Sequence, residues 1–173
     1  MSLYDILIHP DPRLKKPAEP VTEITGELRR LAGDMLETMY DAPGIGLAAP
    51  QIGISKRLLV MDCAGREDQP PRPLILVNPE ILWRSEARST SEEGCLSIPD
   101  YYEEIERPAE VKVRWTTPDG GTAEEHFRGV WATCVQHEID HLDGRLFIDY
   151  LSPLKRQLVT RKMQKLKRER ARA

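Results

Sequence analysis

Residues 110–144 read "EVKVRWTTPDGGTAEEHFRGVWATCVQHEIDHLDG", and two periodicities meet inside this one stretch. Its first half has short alternating runs on either side of "PDGG", a strong turn signal, so residues 110–129 predict a pair of antiparallel strands. The second half changes period. "VWATCVQHEIDHLDG" reads as a buried helix stopped by Gly144, with Val130, Cys134, His137 and His141 on one stripe and Trp131, Val135 and Leu142 on another. The second stripe predicts core; the first can present ligands beside an apolar wall. His137 and His141 stand four apart on one helix face, as a divalent metal needs, and Glu138 is placed to move a proton.

Working outward, "TGELRRLAGDMLETMYDAP" (25–43) predicts an amphipathic helix with Leu28, Leu31, Met35 and Met39 at helical spacing, Thr25 as N-cap and Pro43 just past its end. "RLLVMDC" (57–63) and "LILVNP" (74–79) predict strands. "SPLKRQLVTRKMQKLKRERARA" (152–173) predicts a second helix behind the metal helix, with Ser152 as N-cap and Pro153 at its first position. The order helix, strands, helix, helix indicates an α+β fold: mostly antiparallel strands around a central HExxH helix, with a C-terminal helix.

At 173 residues the chain is most simply one catalytic domain, residues 1–173, with 152–173 a basic C-terminal helix. A chain of this size buries about 70% of its unfolded surface, so a metal is not needed to hold the fold. The net charge of −3 conceals a division: Lys155 to Ala173 hold nine Lys or Arg and one Glu, whereas residues 1–154 hold 16 basic and 27 acidic side chains. A basic tail on an acidic body suggests a polyanionic partner. Leu151, Leu154 and Leu158 are expected to tie the helix start to the body, leaving Lys162, Lys165, Lys167, Arg168, Arg170 and Arg172 mostly free. The N-terminus does not read as a secretory signal and no stretch approaches a membrane span, so a cytoplasmic protein without a membrane partner is expected. Cys63, Cys95 and Cys134, odd in number and irregular in spacing, are expected to be free thiols or ligands.

Two imidazoles leave a catalytic metal site incomplete. The longer HExxHxxGxxH pattern requires a histidine where Phe147 stands, no histidine follows, and Asp143 and Asp149 sit too near the helix end to reach back easily. The third ligand is therefore sought upstream. "EEGCLSIPD" (92–100) is a poor core strand, and a thiolate suits zinc or ferrous iron, so Cys95 is the first choice. Cys134, one turn before His137 on the same helix, is weaker, and Cys63 reads as packing. "PGIGLAAPQIG" (43–53) can be an extended strand that pairs with a peptide through its backbone; a tight helix-to-strand turn is the alternative.

"GIGLAAPQ", "EGCLS" and "QHEIDHLDG", in that order, resemble the peptide deformylase motifs GxGxAAxQ, EGCLS and QHExDHLxG. The resemblance runs from "HPDPRL" to the basic tail. It implies a metal-dependent hydrolase that removes the formyl group from N-formylmethionyl nascent peptides. Cys95, His137 and His141 would be the metal ligands, with a water completing the tetrahedron and Glu138 as general base and acid. Gln51 and the Leu96 backbone N–H would hold the oxyanion, and Gly44, Ile45, Gly46 and Gly94 would meet the substrate backbone. Ile45, Val130, Thr133 and Cys134 would line the methionine pocket. The family's usual metal is ferrous iron, with zinc, nickel or cobalt as substitutes, and its bacterial members dock on the ribosome through a C-terminal helix. This chain departs from the family at Tyr101–Tyr102, where many members carry an arginine, and at Thr133, where an aliphatic residue is common. A zinc peptidase acting on unformylated peptides and a binding protein with a closed structural zinc site are the alternatives; an intact Glu138 counts against the second.

Overall fold

The structure, a computed structural model, describes residues 3–173. Helix α1 spans Gly26–Asp41, and the Thr25 hydroxyl accepts from the Leu28 N–H as its N-cap. Seven strands follow: β1 Gly46–Ala48, β2 Leu58–Met61, β3 Leu74–Arg84, β4 Arg88–Cys95, β5 Ile98–Pro108, β6 Glu110–Thr116 and β7 Thr122–Arg128. Helix α2 spans Gly129–Leu142 and α3 Pro153–Ala171. The strands form a five-stranded sheet, β1-β2-β3-β6-β7, and a separate two-stranded sheet, β4-β5, and all pairings between them are antiparallel. The expected α+β architecture, with strands packed around the HExxH helix, is the one observed.

Burial explains the sequence patterns. Strand β2 is covered on both faces: Leu58 and Val60 pack with Leu28, Ala32, Met35 and Met39 of α1, while Leu59 and Met61 pack with Ala132, Val135, Ile139 and Leu142 of α2. A strand buried on both sides reads as an unbroken apolar run, as "LLVM" does. Strand β6 is covered on one side, so Val111, Val113 and Trp115 are buried while Lys112 and Arg114 are exposed. Helix α2 ends before Gly144, whose φ of 77° is a backbone state suited to glycine at a helix stop.

Three expectations are corrected. The strand read over 74–79 continues through Pro79 to Arg84, because a register shift between Val77 and Glu80 absorbs the proline. The Asn78 side chain exchanges two hydrogen bonds of 2.8 Å with the Val21 backbone there. "EEGCLSIPD" is the tip of a hairpin: Cys95 pairs with Ile98 across a turn of Leu96 and Ser97, and the strands run back as far as Arg88 and Pro108. Finally, Leu154 and Leu158 do not anchor α3, being 65% and 54% exposed. Val159 and Met163 are buried, with Leu151 and Leu166 packed against the same cluster. Residues 159, 163 and 166 share one helical face, and Leu154 and Leu158 lie off it. Lys162 and Arg170 also lean toward the body, Lys162 donating to the Asp100 carbonyl at 3.5 Å and Arg170 lining the central cavity.

Candidate metal centre and peptide cleft

Helix α2 carries His137 and His141 into the gap between the two sheets, and the β4–β5 turn brings Cys95 to them. The Cys95 Sγ lies 3.4 Å from His141 Nε2, and the two Nε2 atoms are 3.2 Å apart. In a tetrahedral site with metal–sulfur bonds near 2.3 Å and metal–nitrogen bonds near 2.05 Å, those edges are about 3.5 and 3.3 Å. The three donors therefore already have the spacing of ligands around one ion, and they are the one such group among the described residues. Cys134 is not in it. Its buried thiol lies 3.6 Å from the Ile45 carbonyl, and Cys63 is fully buried in the core. The carboxylates near the helix end are occupied elsewhere, Asp143 with Arg57 at 2.9 Å and Asp149 with Lys15 at 2.6 Å.

A buried ion network fixes this donor set. His137 Nδ1 donates to Glu93 Oε1 at 3.0 Å, which leaves the Nε2 lone pair free for a metal. Arg107 grips the same carboxylate twice, at 2.6 and 2.9 Å, and reaches Asp140 at 2.9 Å. The Tyr150 hydroxyl donates to Asp140 at 2.7 Å. Burial opposes charge on Glu93, but the hydrogen bonds from His137 and Arg107 outweigh it and hold its carboxyl below the usual carboxylate range. Burial pushes His141 well below the ordinary histidine value, whereas on His137 the hydrogen bonds with Cys95 and Glu93 outweigh burial and hold it well above that value, so a metal bound there displaces a proton from His137.

Glu138 lies beside the three donors, its Oε2 4.0 Å from His137 Nε2, and its Oε1 is buried without a protein partner. Burial pushes its carboxyl up to about 7. Strand β1 crosses directly above it. A side chain at Gly46 would stand 2.5 Å from Glu138 Oε2 and 2.9 Å from Cys134 Sγ, so only glycine lets the strand pass. Gln51, in a short 3₁₀ turn after β1, is fixed by the Ala48 N–H donating to its Oε1 at 2.9 Å. Its Nε2 donates to Ser97 Oγ at 3.1 Å and faces Cys95 Sγ at 3.5 Å.

These groups open onto a cavity of about 1290 Å³. Gly44, Ile45, Gly46, Gln51, Gly94, Cys95, Leu96, Val130, Thr133, Cys134, His137 and Glu138 all line it; His141 sits behind them, buried. Strand β1 is an edge of its sheet, and β4 borders the cavity from the other sheet through Ser91, Glu92, Glu93 and Gly94. Tyr102, where the family often has arginine, is 62% exposed at the rim with its ring over Gly94. Tyr101 turns away, stacking on Phe147.

The sequence profile of polypeptide deformylases matches residues 3–157. The chain belongs to the polypeptide deformylase family. It is 54% identical to the peptide deformylase of Alkalilimnicola ehrlichii over 98% of this chain and 93% of that one. To that of Afipia carboxidovorans it is 56% identical, over 95% and 96%. Among solved structures, the peptide deformylase of Legionella pneumophila superposes with a TM-score of 0.91 at 45% identity, covering 99% of both chains. That of Ehrlichia chaffeensis in complex with actinonin gives 0.93 at 38% identity, covering 97% of this chain and 99% of that one. This deformylase is a metal-dependent hydrolase that removes the N-formyl group from nascent polypeptides. Motif reading missed Glu93, Ser97, Arg107, Asp140 and Tyr150. The one available signal was the acidic pair before Gly94, a costly choice for a buried strand unless each charge has a partner.

Proposed function

We propose that Cys95, His137 and His141 hold the catalytic metal, that Glu138 is the proton carrier, and that Gln51 and the Leu96 N–H bind the oxyanion. The observation that carries this reading is the set of ligand-to-ligand spacings, together with a buried carboxylate oxygen that has no protein partner beside them. A metal bound to this donor set supplies Lewis acidity to a water and to the formyl oxygen.

The chain's own groups do the rest. Ile45 and Gly46 on one side and Gly94 on the other offer strand edges that hold the peptide backbone extended. Gly44 lets the Leu96 side chain close over the cleft. Val130, Thr133 and Cys134 receive the methionine side chain beside Ile45. Glu138 takes a proton from the attacking water and returns it to the leaving amine, releasing formate and a free N-terminus. Ala48 and Ser97 fix the Gln51 amide, and the Nε2 hydrogen that faces Cys95 Sγ at 3.5 Å is the one left to turn to the formyl oxygen when charge develops there.

The working ion is ferrous iron, with zinc, nickel or cobalt as substitutes; the Cys95 thiolate donates charge and blunts a Lewis acid, which favours iron. The enzyme acts as one catalytic domain in the cytoplasm, and among the described residues no helix is long and apolar enough to cross a membrane. Its basic α3 docks on the ribosome through RNA phosphates. Changing Lys165, Arg168 and Arg172 together to Glu leaves turnover of formyl-Met-Ala-Ser near the parent value and abolishes co-sedimentation with ribosomes at low salt. Undiminished co-sedimentation would remove the ribosome from the reading.

Two substitutions test the centre. Glu138→Gln keeps the metal and lowers kcat by at least ~100-fold. Cys95→Ser loses metal while Cys134→Ser keeps it. Equal metal retention by the two cysteine variants, or near-normal turnover of metal-replete Glu138→Gln, overturns the assignment. The iron enzyme decays in air and the nickel enzyme persists; equal aerobic half-lives argue against iron.

A further inference from the structure

One wall of the methionine pocket is not apolar, and its place follows from a register between β4 and α2. Cys95 lies 3.4 Å from His141, and Glu93, two residues back along the strand, lies 3.0 Å from His137, four residues back along the helix. Two strand residues rise about 6.7 Å and four helical residues about 6.0 Å, so the two elements stay nearly in step. From Glu93 back to Arg88 the strand pairs one residue at a time with Glu103 to Pro108, without a bulge. The next step therefore brings Ser91 level with Thr133, and the one after brings Ser89 level with Gly129. All four line the cavity with Val130.

The Ser91 and Thr133 hydroxyls are not used by the protein. A threonine inside a helix can donate to the carbonyl four residues back, and Thr38 and Thr160 do so at 2.8 and 2.9 Å. Thr133 does not. Among the described residues neither its hydroxyl nor that of Ser91 has a hydrogen-bond partner, and both side chains are half-buried with their oxygens still reachable from the cavity. A thioether is a weak acceptor, so a methionine side chain covers these two donors without satisfying them. Oxidised methionine carries what they lack: an oxygen on sulfur, polar and fixed on one side of a chiral centre.

We propose that Ser91 and Thr133 are specificity-determining residues that let this deformylase accept peptides beginning with N-formylmethionine sulfoxide, their hydroxyls donating to the sulfoxide oxygen. The inference rests on the reading of Ile45, Val130, Thr133 and Cys134 as the methionine pocket. Ile45 and Val130 cover the methylenes and the methyl group, as they do for methionine. The reaction is the same hydrolysis: the water oxygen bonds to the formyl carbon, the C–N bond breaks, formate leaves and the amine takes the proton. Sulfur keeps its oxidation state, so no reductant takes part.

The test measures kcat/KM of the full-length metal-replete enzyme on formyl-Met-Ala-Ser and on each sulfoxide epimer of the same peptide. The ratio of two substrates on one preparation does not depend on the fraction folded or metal-loaded. The parent is expected to use its better epimer within ~10-fold of the methionine peptide and at least ~5-fold faster than the other epimer. Losing one neutral hydrogen bond is worth about 5-fold, so Ser91→Ala with Thr133→Val should lower the ratio of sulfoxide to methionine turnover about 30-fold. Thr133→Ser keeps a hydroxyl and the parental ratio. The inference is overturned if the better epimer falls further behind than that in the parent, if the epimers are used equally, or if the double variant keeps the parental ratio. Val130→Phe, which fills the pocket, should cut kcat/KM on formyl-Met-Ala-Ser at least ~10-fold. A parental value there would instead overturn the pocket reading beneath the inference.

Discussion

The two long hairpins of this fold, β4–β5 and β6–β7, have nearly opposite interiors. The β6–β7 hairpin turns Val111, Val113, Trp115 and Phe127 onto α2, with Phe127 stacked between Trp115 and Trp131 at centroid distances of 6.0 and 6.4 Å. The β4–β5 hairpin turns Ile98 and Ile105 inward, but beside them it buries Glu93 and Arg107. One hairpin is held to the metal helix by apolar area, which is non-directional and tolerant of small shifts. The other is held by charged hydrogen bonds, which fix distance and angle. The turn that carries Cys95, a proposed ligand, is on the second. A buried ion pair is weak evidence for net stability, and here its use is orientation: the Arg107–Glu93–His137 chain sets the ring of the proposed metal ligand.

The comparison breaks most readily at Arg107. Arg107→Met leaves Glu93 and Asp140 buried without their cation, so a loss of about 3–5 kcal/mol in stability is expected, with metal affinity lowered by roughly 10–100-fold in the folded fraction. Denaturant unfolding and competitive metal chelation measure the two effects separately. Phe127→Ala should cost a similar 3–5 kcal/mol by cavity formation, but the folded variant should bind metal as the parent does. If Phe127→Ala weakened metal binding as much as Arg107→Met, the division of labour between the hairpins would be wrong.

A smaller change sharpens the same contrast. Tyr150→Phe removes the hydroxyl that holds Asp140, for an expected cost of about 1 kcal/mol, and a modest drop in metal affinity with kcat nearly kept. An unaltered chelation curve would confine the network to Arg107 and Glu93.

The most local effect is a pH effect. The folded pKa of His9 is depressed to about 4 from 6.5 by burial first, then by Lys15 and Lys167, with Asp149 acting the other way. The neutral ring is therefore the folded form. Its contribution to stability is present above pH 6.5 and is lost as pH falls from 6.5 through 4. Because the His9 N–H donates to the Ser97 carbonyl at 2.9 Å, amide exchange in the β4–β5 turn should quicken across that window before exchange in β6–β7 does. Exchange rising equally in both hairpins would show that acid acts on the whole fold.

The hairpins also differ in how legible they are. Alternation in "EVKVRWT" announces β6, and "PDGG" announces the turn, because one face meets water and the other a core. "RSTSEEGC" and "IPDYYEEIERP" show no such alternation. Their pairing is carried by backbone bonds and by ion pairs such as Arg88 with Glu106 at 2.8 Å, and no local pattern tells a buried Glu93 from an exposed Glu92. The anchoring face of α3 differs from the expected one for a related reason. Leu154 and Leu158 are as apolar as Val159 and Met163, and which face turns inward depends on what the helix meets.

The sequence by itself determined most of the elements and the candidate residues of the site. Helical spacing put His137, Glu138 and His141 on one turn, and three ordered motifs singled out Cys95 and Gln51 beside them. Local rules suffice there, because caps, periodicity and ligand identity act within a few residues. Only the tertiary structure decided that Glu93 and Arg107 are buried and paired, that Ser97 holds the Gln51 amide, and that residues 7–9 tie the Gln51 turn and the Leu96–Ser97 turn to a helix more than 150 positions away. Those facts depend on contacts between distant segments. A polar side chain carries no mark of its eventual partner until the chain around it has closed.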